Sequence, residues 1–172
     1  MSTFSSERSK SIKPSPTLAV SARAAELRAE GRDIISLSAG EPDFDTPEYI
    51  KNAAINALNN GQTKYTAVDG TPELKQAIVD KFQKENNLEY KNNQILASCG
   101  AKHSLYNLFQ ATLNPGDEII LTAPYWASYP DMAILAGAEP VVIRTTIAEN
   151  FKINAENLSQ AISEKTRMLV LN

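Results

Sequence analysis

The stretch "LASCGAKHSLYNLF", residues 96–109, sets one glycine between a run of β type and a run of helical type, with Lys102 and the only histidine, His103, directly behind it. From residue 94 onward this strand-to-helix pattern recurs. The spacing predicts strands near 94–98, 118–122, 140–144 and 167–171, and helices near 101–112, 127–136 and 155–163. That β-α-β-α-β-α-β order is the order of an α/β fold with a parallel sheet and right-handed crossovers.

Upstream of it the pattern is helical. "TLAVSARAAELRAEG" aligns Leu18, Ala22, Ala25 and Ala29 on one stripe and stops at Gly31. "DIISLSAGEPDFDTP" then reads as a short strand and a loop. Thr46 caps a helix with Pro47 at its first position, Ile50, Ala53, Ala54, Ala57 and Leu58 along one face, and Gly61 past its end. Thr71-Pro72 repeats the device for a helix that carries Leu74, Ala77, Ile78 and Phe82.

Composition narrows the class. With 42% hydrophobic and 22% charged residues, 172 residues match one ordinary globular domain able to bury a core. A formal charge of −3 provides no electrostatic footprint for nucleic acid. The apolar runs, such as Met168 to Leu171, are too short to span a bilayer, so no membrane role is expected. The opening "MSTFSSERSKSIKPSP" is serine-rich without the apolar segment of a secretory signal, which favours the cytoplasm. Cys99 alone cannot form an internal disulfide, one Cys and one His cannot make a zinc site, and Glu41, Asp43 and Asp45 lack EF-hand spacing. No metal is expected. "TRMLVLN" has the apolar density of a buried parallel strand, and the chain then stops, as a fragment cut in mid-sheet would.

In open parallel sheets, ligands collect beyond the carboxyl ends of the strands, and Gly100 stands at such a point. The helix behind it offers backbone N–H groups and a partial positive charge, a ready site for phosphate. Lys102 lies at the unfavourable end of that helix dipole, a conflict that a bound anion would remove. A turn glycine and a solvated lysine would give the same sequence. The nearest glycine pairs, 31/40 and 61/70, are nine positions apart, which excludes the dinucleotide fingerprint, the P-loop and the nucleophile elbow. A second strand end, "LTAPYWASYPDM", places Pro124, Tyr125, Trp126 and Tyr129 on a strand-to-helix turn. An aromatic ring there could cover a flat cofactor held by its phosphate at Gly100, or serve as packing or a protein contact.

Together "LSAGEPDFDTPEYIK", "TKYTAVDGTPELK", "GAKHSLYNLFQATLNPGDEII", "APYWASYPDM" and "EKTRMLVLN" resemble the N-terminal part of a class I aminotransferase of the bacterial aspartate aminotransferase type. The resemblance runs from about Ile12 to Asn172 and keeps the family's motif order. It implies fold type I of the pyridoxal 5'-phosphate (PLP)-dependent transferases, a mainly parallel sheet with helices on both faces. Residues 1–45 would form an N-terminal arm contributing to a small domain, and 46–172 the first part of the large PLP-binding domain.

By the same resemblance, Gly100, Ala101 and Lys102 hold the PLP phosphate and Trp126 stacks on the pyridine ring. Tyr65 reaches the phosphate of the partner subunit in a homodimer. Gly40 lies near the substrate α-carboxylate, and Lys13 matches a basic position associated with a second carboxylate in relatives that accept prephenate. Each has a plainer reading, as a loop tyrosine, a turn glycine or an exposed lysine. Ala101 stands where the family usually has glycine, and His103 reads as a surface residue of the helix start. The Schiff-base lysine, the acid against the pyridine nitrogen and the arginine for the α-carboxylate are all expected beyond Asn172, so no catalytic residue is assigned in this chain and the fragment alone is expected to be inactive. The implied reaction moves an amino group from aspartate or a related amino acid to 2-oxoglutarate; aromatic, prephenate or broad-range transamination is the alternative. A non-enzymatic module using Trp126 and the tyrosines as an interface is the rival from another class.

Overall fold

Helix and strand signals resolve into ten regular elements in the computed structural model, which describes residues 4–172. In chain order the helices are α1 (Glu7–Lys10), α2 (Pro16–Ala29), α3 (Glu48–Asn59), α4 (Pro72–Asn86), α5 (Ala101–Thr112), α6 (Ser128–Leu135) and α7 (Ala155–Ala161), with strands β1 (Glu118–Ala123), β2 (Glu139–Arg144) and β3 (Thr166–Val170). They belong to two compact units. One combines the described residues up to Ala39 with Leu105–Asn172, and the other is Gly40–Ser104.

The first unit is built on a parallel sheet of order β2-β1-β3. Ile119 pairs with Pro140 on one side and Met168 on the other, and Leu121 with Val142 and Val170. The chain leaves β1 through α6 to reach β2, then returns through α7 to β3 on the far side of β1. Right-handed crossovers make that reversal put the two helices on opposite faces. Successive strand side chains point to opposite faces, so Ile119 and Leu121 share one core with Phe109 and Leu113 of α5 and Met132 and Ala133 of α6. Ile120 points the other way and is equally buried. A strand covered on both faces reads as an unbroken apolar run, which is what residues 119–121 are.

Two connections close this layer. Gly137 has φ +85, and a Cβ there would lie 3.3 Å from the Cα of Pro115, while Gly116 N–H donates to the Gly137 carbonyl at 3.2 Å. Asp117 accepts from the Asn114 backbone N–H at 2.7 Å and from Arg167 Nε at 3.2 Å, tying the entry of β1 to β3. The Asn114 bond, helped by the Arg167 guanidinium, holds the Asp117 carboxyl below the usual carboxylate range.

Three expectations shift. The segment near 33–37 is not a ladder strand. Ile34, Ser36 and Ser38 are half-buried while Ile35 and Leu37 are exposed, a strand-like alternation, but the inward groups bond locally. Ser38 Oγ meets Ser21 Oγ at 3.0 Å and Ser36 Oγ at 2.8 Å, and the Ile34 carbonyl accepts from Arg28 Nε. Residues 94–98 are likewise outside the sheet: a 3₁₀ turn covers Asn92–Gln94, and β1 is flanked by β2 and β3 instead. An extended segment becomes a sheet strand only where a neighbour completes its ladder, and here Ala97 N–H bonds the Asp69 carbonyl instead. Finally, Pro47 with ψ 140 is itself the cap residue of α3, so Thr46 stands one position outside the helix. Thr71 does cap α4 as the sequence predicts, accepting from Leu74 N–H.

Among the described residues no helix is long and apolar enough to cross a membrane. The Gly40–Ser104 unit is anchored by α4, where Phe82 meets Tyr90 edge to face at 5.7 Å between centroids and Gln76 accepts from Asn92 Nδ2.

Phe109 is fully buried, so Phe109→Ala should destabilise the sheet unit by about 3–5 kcal/mol, read as a lower urea midpoint. Because Asp117 titrates below its unfolded value, its contribution is complete above the ordinary carboxylate pKa of about 3.9 and is lost as pH falls through the folded value. Asp117→Asn should therefore lower thermal stability at neutral pH and remove part of the acid-induced loss seen in the parent protein.

Candidate functional site

The Gly100 turn lies in the Gly40–Ser104 unit and opens α5. Gly100 has φ +85, a left-handed conformation that a Cβ disfavours, and an added Cβ would meet nothing within 4 Å. The backbone therefore needs glycine here, and the space beside it is open. His103 N–H and Ser104 N–H both donate to the Gly100 carbonyl, so the first intrahelical bonds start at those residues and the Ala101 N–H lies ahead of them. A helix start of this kind presents donors and positive potential to an anion. Ala101, Lys102 and His103 are all exposed in this first turn.

His103 has a structural task. Its Nδ1 accepts the Cys99 backbone N–H at 3.1 Å, so the imidazole caps the turn from within its own helix. An accepting Nδ1 leaves the ring proton on Nε2. The surface reading of His103 agrees with its exposure, while the capping bond was not visible from residue types alone.

Sequence reasoning also missed Ser98. Its Oγ is buried and has no hydrogen-bond partner within the chain, two residues before Gly100. A buried hydroxyl without a partner costs free energy, and most such atoms in folded proteins are satisfied. The one available signal was a small polar residue in an otherwise apolar extended segment.

The remaining candidates divide between the units. Tyr65 is fully exposed, in the loop between α3 and α4 beside Thr63 and Lys64. Gly40 is exposed, and a Cβ there would meet nothing within 4 Å. Trp126 belongs to the sheet unit, just past the carboxyl end of β1, with 54% of its surface exposed. Its carbonyl accepts from Tyr129 N–H at 3.0 Å, while the flanking Tyr125 and Tyr129 rings pack on the core. Thr145 Oγ1 bonds the Ala123 carbonyl at 2.6 Å and fixes the strand end that presents the indole. Lys13 is exposed in the link between α1 and α2. Gly100, Ala101 and Lys102 thus share one turn, Trp126 and Lys13 lie in the sheet unit, and Gly40 and Tyr65 lie on separate loops of the other. Among the described residues no group of three or more His, Cys, Asp or Glu side chains could hold a metal ion.

Known proteins give these positions a context. The aspartate/prephenate aminotransferase of Nitrosomonas europaea is 59% identical over 167 residues, covering 97% of this chain and 42% of that protein. The aspartate aminotransferase of Bacillus sp. YM-2 is 53% identical over 165 residues, covering 96% of this chain and 42% of its own length. In three dimensions the chain superposes on the aspartate aminotransferase of Thermus thermophilus solved with maleate at a TM-score of 0.94 and 47% identity, covering 96% of this chain and 44% of that one. The enzyme from Rhizobium meliloti gives 0.91 and 48%, over 96% and 41%. The chain spans about 42% of the length of the first of these relatives. The family profile for aminotransferase class I and II matches residues 32–172, a span that holds the Gly100 turn, Tyr65, Gly40 and Trp126, and the chain belongs to that family.

Proposed function

We propose that this chain provides the phosphate grip, the ring cover and part of the substrate pocket of a PLP-dependent aminotransferase that acts on aspartate. The observation that carries the reading is the Gly100 turn: an open left-handed corner at a helix start, with a buried hydroxyl of Ser98 two residues before it, in a chain of the aminotransferase class I and II family. These features fit a phosphate. The donors ahead of the first helical bonds, the Lys102 ammonium and the Ser98 hydroxyl supply charge-assisted and neutral bonds to phosphate oxygens. Ala101 is exposed, which leaves room for its methyl group beside the anion.

The other residues take the roles their family positions suggest. The exposed indole of Trp126 covers the pyridine ring, which the stacking preferences of aromatic rings favour. Tyr65, fully exposed on its own protomer, donates its hydroxyl to the phosphate held by the partner in a homodimer. Gly40 lets the backbone approach the substrate α-carboxylate. Residues up to 45 contribute to a small domain, and 46–172 begin the large cofactor-binding domain, in a cytoplasmic enzyme. Bound PLP would supply an electron sink for the pair released at the substrate Cα and would carry the amino group between an amino acid and a 2-oxo acid, here aspartate and 2-oxoglutarate. This chain's side chains bind and orient it; proton movement falls to a lysine outside this segment.

Acceptance of prephenate is the second reading. It is favoured by the name of the Nitrosomonas relative and by Lys13, an exposed cation suited to a second carboxylate. The maleate in the Thermus structure shows that a relative binds a dicarboxylate. Comparing kcat/KM of the full-length protein on aspartate with 2-oxoglutarate or prephenate as acceptor separates the two, and Lys13→Ala should lower the prephenate value while sparing the aspartate/2-oxoglutarate pair.

Full-length protein should purify yellow or turn yellow with PLP. Lys102→Ala should weaken PLP binding by roughly one to two orders of magnitude, the scale of one charge-assisted hydrogen bond. Ser98→Ala should weaken it by about fivefold to tenfold without lowering the melting temperature of the PLP-free protein, since the hydroxyl has no partner within the chain. A protein that binds no PLP, or variants at Lys102, Ser98 and Trp126 that all bind it as tightly as the parent, would overturn the proposal.

A further inference from the structure

A corner of the Gly40–Ser104 unit joins two segments that the proposed function treats separately. After Tyr65 the chain turns at Ala67–Gly70, closed by Gly70 N–H donating to the Ala67 carbonyl at 3.1 Å. Gly70 takes φ +108 and approaches the segment before Gly100 so closely that a Cβ would lie 3.1 Å from the Ala97 Cβ. Beside it the Asp69 carbonyl accepts from Ala97 N–H at 3.0 Å. Asp69 Oδ2 is paired with Lys75 Nζ at 2.5 Å, and the Lys75 side chain is only 14% exposed. Lys75 lies in the first turn of α4, where a cation opposes the helix dipole, so the carboxylate in front of the helix offsets both the burial and the dipole. Three contacts of different kinds, a backbone bond, a backbone-to-methyl approach and an ion pair, thus converge on Asp69-Gly70. One end of the corner is two residues from Tyr65, and the other touches the residue immediately before Ser98.

We propose that Asp69 and Gly70 are positioning residues that fix the Tyr65 loop against the segment leading into the Gly100 turn, so that one corner sets the phosphate grip of its own subunit and of the partner's at once. The inference rests on the PLP reading above. Neither residue touches the cofactor. Displacing the corner moves Ala97, and with it Ser98 and Gly100, on the protomer's own side; the same displacement moves Tyr65, which serves the other side.

The test uses full-length dimers carrying Gly70→Ala, Asp69→Asn or the conservative Asp69→Glu, and hybrid dimers that pair one Gly70→Ala subunit with one parent subunit. PLP affinity is read by titrating the PLP-free protein and following absorbance and the ³¹P signal of the bound phosphate; melting temperature is followed in parallel. Gly70→Ala should raise the PLP dissociation constant by about tenfold, and Asp69→Asn by a smaller factor that Asp69→Glu restores. In the hybrid, both sites should be weaker than in the parent dimer. One parent-like and one weakened site would overturn the coupling between subunits. Unchanged affinity and ³¹P shift with only a lower melting temperature would show the corner to be merely structural. Should Gly70→Ala fail to fold, Asp69→Asn and its hybrid carry the same comparison. Failure of the parent dimer itself to bind PLP would instead remove the functional reading beneath the inference.

Discussion

Burial of β1 on both faces is the constraint from which the sheet unit follows. Ile119, Ile120 and Leu121 have no exposed surface, so the strand must have a helix layer above and below it and a strand on either side. The reversal of direction between β2 and β3 satisfies the first demand and the parallel pairings the second. Each fully buried aliphatic side chain contributes about 1.5–3 kcal/mol relative to exposure, so these three residues outweigh any surface ion pair in the unit. Trp126 inherits its position from this arrangement, because it follows a strand end that is locked by the Thr145–Ala123 bond and by neighbours packed on the core.

Elements whose stability is local were legible from the sequence to within one or two residues. Thr71-Pro72 caps and starts α4, and the run 101–112 forms α5 as spaced. The two predicted strands that did not join the sheet share a different property. Residues 33–37 alternate correctly but satisfy their inward groups with serine hydroxyls and Arg28, and residues 95–98 lie outside any ladder, with Asp69 as the backbone partner of Ala97. Alternation reports which side of a segment is buried; it does not report whether a neighbour supplies a ladder. The capping error at Thr46 is a smaller case, in which the proline ψ and not the threonine hydroxyl decided the boundary.

For the site, the glycine and the lysine of the Gly100 turn could be seen in advance because each breaks a local rule: one residue takes a backbone conformation others avoid, the other places charge at the unfavourable end of a dipole. Ser98 and the Asp69-Gly70 corner break no rule visible in one dimension. Their meaning depends on what is close in space, namely a hydroxyl left without a partner and a methyl group 3.1 Å from where a Cβ would be. His103 falls between these cases, since its type suggested reactivity while its bond to Cys99 N–H makes it a cap.

The Asp69–Lys75 contact has a bearing on the medium in which the protein works. Its cation is sheltered, whereas Arg23–Glu26 and Lys81–Glu85 join side chains that are more than half exposed. Dissolved ions shorten the reach of charge to about 3 Å at 1 M, and they do so where water can carry them. Screening therefore weakens Arg23–Glu26 and Lys81–Glu85 from both partners, and reaches the Asp69–Lys75 pair chiefly from the Asp69 side, which is 42% exposed.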